Sequence, residues 1–569
     1  MEYSKLVEVY EALNATTKKL EKAAILAEFL KKLKGHSEWI YLLRGRVLPD
    51  YDSRELGISN QLAIKAIVTG FGVKQEEVLK RLRKVGDLGE IAEHFADRRK
   101  QGTLFSRKLS VDKVFENIRK LMELEGKGSV GKKIGLISEL LGQSSGKEAK
   151  YIVRTLLSDL RVGVADAILR DAIAEAFFYS DDKKEMSDRI EKAYDMANDF
   201  AVVFDAASKG KKELDKIEIF VGKPMNVMLP VKVTEIEEAF RICGKPAAIE
   251  HKYDGFRMLI NNDGKEIKLF TRRLEDVTKQ FPDVVEVVKK NVKGKNFILD
   301  SEVVGYSPET KKYKPFEAIS QRIKRKYDID KLVKSLPVEV NVFDILYLDG
   351  KNLMDLPFKE RRKVLERVIK TENWKIRTSK QIVTSSEAEA MKFYKEALKI
   401  GEEGIMVKNI EAPYRQGRRV GYIVKMKPEV NDLDLVIVGA EYGSGKRGGW
   451  LTSYIVGCQS DGKFLEVGKV SSGLKELEQE GGTTYEEMTN LLKPLILEEK
   501  GKEVKVKPKI IVAVTYQNIQ RSPSYSSGWA LRFPRITRYR PDKRVGEIAT
   551  LGEIEKEIKR IAKGRGGLG

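Results

Sequence analysis

The sequence predicts a multidomain chain in which an all-α domain, an α+β domain and a small β-barrel follow one another. Its 569 residues are more than one hydrophobic core usually organises. The first part of the chain has the apolar spacing of helices, and the last part has short runs typical of strands. Because the pattern changes near residues 216 and 429, we expect domains at 1–216, 217–429 and 430–569.

The all-α domain is predicted from helical spacing and helix-ending residues. Apolar side chains between Leu26 and Leu33 recur every three or four positions, and Gly35 stands where a helix would end. The same spacing recurs in 111–126 and in 149–163. Helix after helix without strand patterns between them indicates a helical domain.

Strand patterns alternate with helical ones in 217–429. In 258–271, two alternating runs flank Asn-Asp-Gly, which is a strong signal for a β-hairpin. Further strands are predicted in 296–306 and in 338–350. Helices and strands mixed in this way indicate an α+β domain.

Short strands dominate 430–569. One helix interrupts them, since Thr484 and Glu487 have the spacing of a capping box. Several short strands with one helix predict a β-barrel of the oligonucleotide-binding (OB) fold, followed by a C-terminal helix and tail.

The composition limits the partners that the protein can bind and the side chains that can hold a metal. The formal net charge is +21, from 106 Lys and Arg against 85 Asp and Glu, which favours a polyanionic partner such as nucleic acid or acidic lipid. No apolar run approaches the roughly 18 residues of a membrane span, and no secretory signal is visible, so we expect a cytoplasmic protein without a membrane partner. Two cysteines and three histidines leave carboxylates as ligands for any metal.

Lys252 is a candidate nucleophile, in the sequence Lys-Tyr-Asp-Gly between two apolar runs that are predicted strands. The alternative is a solvated lysine before a tight turn. A lysine becomes nucleophilic when its pKa falls toward neutrality, and nearby cations lower it. The candidate cations are Arg257, Arg272, Lys425 and Lys427.

Candidate metal ligands follow from the same chemistry. An amine that attacks phosphorus needs its leaving group neutralised, which a hard metal ion on carboxylates supplies. Asp300 and Glu302 are two positions apart, so on a strand both point to one face. Glu403 lies between a glycine-flanked turn and an apolar strand. Each of these acids is also of a kind that is often only structural.

Seven motifs follow one another along the chain: EHKYDGFR (250–257), FTRRLEDVT (270–278), FILDSEVV (297–304), VFDILYLDG (342–350), EEGIMVK (402–408), YIVKMKPE (422–429) and RFPRITRYRPDK (532–543). Together they resemble the ordered motifs of the covalent nucleotidyltransferases, and more narrowly those of the ATP-dependent DNA ligases of the archaeal and eukaryotic replicative type. The helical segment 156–177 resembles the DNA-binding domain of that family, so the resemblance covers nearly the whole chain.

The resemblance implies roles for the residues around the nucleotide. Lys252 would take AMP as a phosphoramidate, and Glu250 would read the amino group of adenine. Phe343 would stack on the base. Arg257 and Arg272 would contact the ribose and the phosphate at the nick.

The resemblance also implies which residues would bind the metal ion and the α-phosphate. Glu302 and Glu403 would serve the sugar and the metal, with Glu302 in both sets. Lys425 and Lys427 would hold the α-phosphate.

Further arginines and the terminal motif complete the implied site. Either Arg418 or Arg419 lies where the family has another arginine near the nucleotide, and the sequence does not decide between them. Arg532, Asp542 and Lys543 would orient the triphosphate and its leaving group.

The activity implied by the resemblance is ATP-dependent sealing of nicks with a 5′-phosphate and a 3′-hydroxyl, through lysyl-AMP and a DNA-adenylate. Its roles would be DNA replication, repair and recombination. ATP and Mg²⁺, or Mn²⁺, are the expected cofactors, and nicked double-stranded DNA is the expected partner of a monomer. A sliding clamp is a candidate partner through 101–106, and the barrel is expected to swing about a hinge at 428–432.

Three other readings compete with this one. RNA ligases and capping guanylyltransferases share the Lys-x-Asp-Gly sequence, but the large helical domain argues against them. An NAD-dependent ligase would carry a four-cysteine zinc finger, which two cysteines cannot build, although use of NAD or ADP in place of ATP stays open. A non-enzymatic DNA-binding protein would leave the paired acids and lysines unexplained.

Overall fold

The structure is a computed structural model, and it describes residues 1–33, 35–52, 54–99, 108–126, 128–314, 316–324, 328–428, 432–443, 447–476 and 483–564. The predicted clamp-binding segment 101–106 lies outside these residues. Of the predicted hinge 428–432, only Pro428 and Asp432 lie within them.

The chain divides into two compact units. The first comprises 1–78, 88–397 and 402–427, and the second comprises 428–569 with the segments 79–87 and 398–401. The first unit therefore contains both the helical region and the α+β region. The three domain boundaries expected from the sequence stay predictions.

Helices form the N-terminal region. They are α1 (Tyr3–Asn14), α2 (Lys19–Leu30), α3 (Asn60–Phe71), α4 (Gln75–Val85), α5 (Leu88–Asp97), α6 (Val111–Glu123), α7 (Ser129–Gln143), α8 (Gly146–Leu156), α9 (Asp166–Phe177), α10 (Lys183–Ala197), α11 (Phe200–Lys209) and α12 (Lys211–Asp215), with a 3₁₀ segment at Ser37–Arg44. Serine caps start several of them, and Ser145 with Glu148 forms a reciprocal capping box at α8. Leu26 and Leu33 are fully buried, as their spacing predicts.

The α+β region contains thirteen strands and six helices among the described residues. The strands are β1 (Met228–Leu229), β2 (Val231–Val233), β3 (Ala247–Lys252), β4 (Phe256–Asn262), β5 (Ile267–Thr271), β6 (Phe297–Gly305), β7 (Val338–Leu348), β8 (Lys351–Asn352), β9 (Ile376–Thr378), β10 (Gln381–Thr384), β11 (Gly404–Asn409), β12 (Gly417–Arg418) and β13 (Ile423–Met426). The helices are α13 (Ile236–Cys243), α14 (Pro282–Asn291), α15 (Phe316–Lys324), α16 (Ile329–Ser335), α17 (Phe358–Val368) and α18 (Glu387–Lys399).

Two sheets organise this region. One has the order β10-β3-β11-β13-β2, and the other has the order β5-β4-β6-β7-β8 with β9 beside β7. The predicted hairpin is confirmed: β4 and β5 pair in antiparallel fashion, and Gly264 adopts φ +89° in the turn between them. The chain crosses from the first sheet to the second between β3 and β4.

The second unit is rich in strands. Its elements are β14 (Leu433–Tyr442), β15 (Leu451–Ser460), β16 (Lys463–Val470), α19 (Tyr485–Leu492), β17 (Ile496–Lys500), β18 (Glu503–Val506), β19 (Ile511–Thr515), β20 (Asn518–Arg521), β21 (Trp529–Arg532), β22 (Arg535–Tyr539) and α20 (Leu551–Gly564). Strand β14 pairs with β15 along one edge, and with β19 and then β18 along the other. Thr484 and Glu487 form the predicted capping box at α19. The fold class expected from the sequence is confirmed. In the part of the chain that the structure describes, no helix has the length and apolarity needed to cross a membrane.

Within the first unit, the end of α10 packs on the α+β region. Met196 is buried in one core with Met228 and Tyr414. The side chain of Gln416 donates to the carbonyl of Asp195, and the backbone N–H of Asn226 donates to the side-chain oxygen of Asn198 at 3.0 Å. These contacts join the helical and α+β regions directly.

Asp195 at this joint makes stability depend on pH. Burial, with repulsion from Glu191, raises the pKa of its carboxyl to about 6 from 3.8. Because the folded-state pKa lies above the unfolded one, the contribution to stability is complete below pH about 4 and is lost as pH rises through about 6. We expect Asp195→Asn to stabilise the protein by about 1–2 kcal/mol at pH about 7.5 and hardly at all at pH about 4.

Calorimetric unfolding at the two pH values measures this difference. Asp205→Asn, at an exposed position on α11, is the matched control and should change little at either pH. An equal effect of Asp195→Asn at both pH values would contradict the prediction.

Candidate active site

Lys252 ends strand β3 at the point where the chain crosses between the two sheets. The turn that follows is very tight, because a Cβ atom on Gly255 would lie 2.4 Å from the carbonyl oxygen of Val303. Glycine in the Lys-Tyr-Asp-Gly sequence therefore permits a close approach of two backbone segments. The crossing brings the end of β3 beside β6 of the opposite sheet.

Glu403 is the nearest charged partner of Lys252. Its side-chain oxygen lies 2.6 Å from the Nζ of Lys252, and its backbone N–H donates to the Lys252 carbonyl at 2.9 Å. The ammonium of Lys427 pairs with the same oxygen. Gly404 makes this packing feasible, since it adopts φ +143° and a Cβ there would lie 2.2 Å from the Met426 oxygen.

The carboxylates around Lys252 determine its pKa. Burial lowers the pKa of the amine, but attraction to Glu403 and Glu302 outweighs burial, so the pKa lies above its usual 10.5. The sequence suggested a pKa lowered by cations. That expectation is wrong, because the carboxylates of Glu403 and Glu302 affect the pKa of the amine more strongly than the neighbouring cations do. Burial and repulsion from Lys252 instead lower the pKa values of Lys425 and Lys427.

The two acids of the site differ in their electrostatics. Burial raises the pKa of Glu302 to about 7 despite attraction to Lys252. The pKa of Glu403 is lowered, since the attraction of Lys252 and Lys427 outweighs its burial. Each acid comes from a different sheet, and Lys252 interacts with both.

Asp300 is engaged by Arg257. The guanidinium donates to both of its carboxylate oxygens, at 2.8 and 2.5 Å, and the hydroxyl of Tyr414 donates to the second at 2.7 Å. Asp300 is fully buried. The sequence predicts that Asp300 and Glu302 share one face of a strand. In the structure Asp300 pairs with Arg257, whereas Glu302 interacts with Lys252.

Phe343 lies between two cations. The guanidinium of Arg257 lies 5.3 Å from its ring centroid, and the ammonium of Lys408 lies 4.6 Å from it. Phe343 is half-buried rather than part of the core. The ring is therefore partly exposed, and its role in stacking on adenine stays a prediction.

Glu250 is buried on β3 with three partners. Gln381 donates to one carboxylate oxygen at 2.8 Å, and Lys408 lies 2.7 Å from the other. Arg362 lies 3.6 Å from the first oxygen. The predictions missed Gln381 and Arg362, which lie in no motif, and assigned no role to Lys408, the last residue of one motif.

Arg272, Arg418 and Arg419 lie around a separate cavity of about 370 Å³ in the first unit. Arg419 pairs with Glu191 of α10 at 2.8 Å, and Arg170 pairs with the same carboxylate. Both contacts outweigh the effect of burial and hold the pKa of Glu191 below its usual range. The choice between Arg418 and Arg419 at the nucleotide stays open.

The three predicted triphosphate-orienting residues lie in the second unit. Lys543 pairs with Asp434 at 2.8 Å, and Asp542 pairs with Arg540 at 2.8 Å. Arg532 ends β21. Lys252 lies in the first unit.

Comparison with known proteins identifies the class to which this architecture belongs. A family model described as "ATP dependent DNA ligase domain" matches 227–427. Models described as "DNA ligase N terminus" and "ATP dependent DNA ligase C terminal region" match 2–174 and 447–543. Together they describe a three-part ATP-dependent polynucleotide ligase.

Curated relatives give the same result over the whole chain. The DNA ligase of Nanoarchaeum equitans (strain Kin4-M) is 46% identical over 569 residues, which is 99% of each chain. The DNA ligase of Thermococcus fumicolans is 40% identical over 561 residues, which is 98% of each chain. The chain belongs to the ATP-dependent DNA ligase family. It seals nicks in DNA and uses ATP, so the predicted family and activity are confirmed and the three competing readings are not favoured.

The fold also resembles that of a solved structure. Pmar-Lig_PreS3 matches with a TM-score of 0.60 at 17% identity, covering 94% of this chain and 99% of that one. This likeness concerns the fold alone.

The stability of the strand that carries Phe343 depends on a buried ion pair of Arg361. Its guanidinium is fully buried and donates to both oxygens of buried Asp344, at 2.8 and 3.0 Å, next to Phe343. Removing one partner leaves an uncompensated buried charge. We therefore expect Arg361→Met to destabilise the protein by about 3–5 kcal/mol.

Denaturant unfolding measures this loss. Arg367→Met, exposed on the same helix, is the control and should change the free energy of unfolding by less than about 0.5 kcal/mol. A cost below about 1 kcal/mol for Arg361→Met would contradict the prediction.

Proposed function

We propose that Lys252 is the nucleophile of the first ligation step and accepts AMP from ATP. The observation that carries this proposal is the placement of its amine, 2.6 Å from a carboxylate oxygen of Glu403 with which Lys427 also pairs. The amine attacks the α-phosphorus, a nitrogen–phosphorus bond forms, and the bond to pyrophosphate breaks. The ammonium loses one proton before the attack and the nitrogen loses a second when the phosphoramidate forms, and both protons pass to solvent.

The surrounding side chains position the nucleotide in this proposal. Glu250 accepts from the amino group of adenine, and Phe343 stacks on the base. Arg257, held by Asp300, contacts the ribose. Lys425 supplies positive charge to the α-phosphate.

Glu302 and Glu403 would hold Mg²⁺. Among the described residues, no group of three or more His, Cys, Asp or Glu is arranged to bind a metal. Two carboxylates with substrate phosphate oxygens are a usual Mg²⁺ set, so the residues fit this ion. When bound, Mg²⁺ neutralises charge on the phosphate oxygens.

The later steps use DNA. AMP moves from Lys252 to the 5′-phosphate of a nick, and the 3′-hydroxyl then displaces AMP. Arg272 and one of Arg418 and Arg419 would contact the nick phosphate or nucleotide. Arg532, Asp542 and Lys543 would orient the departing pyrophosphate in the first step only. Because these three residues would act in the first step only, the second unit must move between steps, and 428–432 is the proposed hinge.

The proposed setting is that of a monomer acting on nicked duplexes in the cytoplasm, in replication, repair and recombination. The net charge of +21 supports duplex binding through phosphates. Recruitment by a sliding clamp through 101–106 is proposed from the sequence alone.

Lys252→Ala should abolish the AMP adduct, because the variant lacks the amine proposed to attack the α-phosphorus. Mass spectrometry after incubation with ATP and Mg²⁺ measures the AMP-sized increment and its site. Lys268→Ala is the control, since Lys268 lies on β5 and pairs with Glu266. An adduct of normal yield on Lys252→Ala would show that the nucleophile lies elsewhere.

The same assay tests the metal and the terminal motif. Chelation by EDTA should abolish adduct formation, and added Mg²⁺ should restore it. Lys543→Ala should slow adduct formation but seal pre-adenylated nicks at about the parent rate. Adduct formation in EDTA would refute the metal site, and slow sealing of pre-adenylated nicks would refute the restricted role of Lys543.

Nick binding should weaken steeply with salt. Each neutralised phosphate adds about −0.9 to the slope of log affinity against log salt, so about six contacts give a slope near −5. Fluorescence anisotropy with nicked and intact duplexes at several salt concentrations measures the slope. A slope near zero would overturn the phosphate-reading account.

A further inference from the structure

The carboxylate of Glu250 is held by side chains from three different elements. Gln381, its direct cross-strand neighbour on β10, donates from Nε2 to Oε1 at 2.8 Å. Lys408 on β11 places its ammonium 2.7 Å from Oε2. Arg362 on α17 brings Nη1 to 3.6 Å from Oε1. Glu250 is 2% exposed, so these partners replace water around it.

Arg362 links this carboxylate to the strand beside it. Its Nη2 donates to the carbonyl of Ser379 at 3.0 Å, two residues before Gln381, and its Nε donates to Glu366 at 2.7 Å. Its Nη1 is buried with no hydrogen-bond partner and faces Glu250. The guanidinium therefore fixes the start of β10 and directs its charge at the carboxylate.

In this arrangement both carboxylate oxygens of Glu250 face hydrogen-bond donors or cations and act as acceptors. Two cations and one amide donor surround a single carboxylate, which has about four acceptor positions in all. By this count, one acceptor position is left for a further donor. A 6-amino group of a purine supplies one, whereas a 6-oxo group would bring its lone pairs against those of the carboxylate.

Lys408 ties this arrangement to the stacking residue. Its ammonium lies 4.6 Å from the ring centroid of Phe343 and 4.5 Å from that of Phe358, which begins α17. The residue that would hold the purine plane and the residue that would read its edge therefore share one buried cation.

We propose that Arg362 and Gln381 are positioning residues for base selection, which hold Glu250 as an acceptor for the 6-amino group of adenine and against 6-oxo purines. This inference rests on the role proposed above for Glu250. It extends the site to a helix and a strand that carry none of the seven motifs.

The test compares nucleotides that differ only at position 6 of the purine. Formation of the covalent nucleotide adduct on the full chain is measured with ATP, with purine riboside triphosphate, which lacks the amino group, and with inosine triphosphate, which has a 6-oxo group. The parent protein should prefer ATP over the other two by at least about tenfold in kcat/KM.

Gln381→Leu and Arg362→Met should reduce this preference to within about threefold. The loss should come from a higher KM for ATP, while adduct formation with purine riboside triphosphate stays within about twofold. Lys363→Met is the control, because Lys363 is exposed on the same helix and pairs with Glu360. Arg362→Lys keeps a cation near Glu250 and should retain more of the preference than Arg362→Met.

The outcomes separate this inference from the proposed function. If both variants lose activity equally with all three nucleotides, Arg362 and Gln381 have only a structural role and the inference is wrong. If the parent prefers ATP and both variants keep that preference, the inference fails while the role of Glu250 stands. If the parent shows no preference although adducts form on Lys252, the base-reading role of Glu250 fails as well.

Discussion

One carboxylate shared by two lysines organises the site. Glu403 pairs with Lys252 and Lys427, and its backbone N–H bonds the Lys252 carbonyl. The close packing at Gly404 allows it, because any side chain there would meet the backbone of the next strand. The strands β3, β11 and β13 therefore bring together Lys252, the proposed nucleophile, Glu403, and Lys427, which is proposed to hold the α-phosphate. Such preorganisation is what phosphoryl transfer chiefly requires.

Much of this could be predicted from the sequence, because local signals carry it. The hairpin at β4 and β5 follows from Asn-Asp-Gly between alternating runs. The position of Lys252 at the end of a strand follows from the apolar runs on either side of Lys-Tyr-Asp-Gly. The direction of the Lys252 pKa could not be predicted, since it depends on the balance of acids and cations across two sheets. Arg362 could not be recognised either: a basic residue on an amphipathic helix usually faces solvent, and only the packing of α17 turns this one inward.

In the first unit, side-chain contacts join the helical region to the α+β region. Met196 enters the core of the α+β region, and Glu191 of α10 pairs with Arg419 of the segment that the family places near the nucleotide. A carboxylate of the helical region thus forms an ion pair with an arginine of the predicted site. Nucleotide or DNA phosphates that approach Arg419 must compete with Glu191 for the same guanidinium.

The crossing of the chain between the two sheets has a mechanical consequence. Lys252 ends β3, Glu403 immediately precedes β11, its neighbour in the same sheet, and a backbone hydrogen bond joins the two residues. Glu302 belongs to the other sheet, which meets the first at the tight turn of Gly255 and in a core shared by Ile298 and Ile423. A small shear of one sheet against the other would therefore change the distance from Lys252 to Glu302 more than the distance from Lys252 to Glu403.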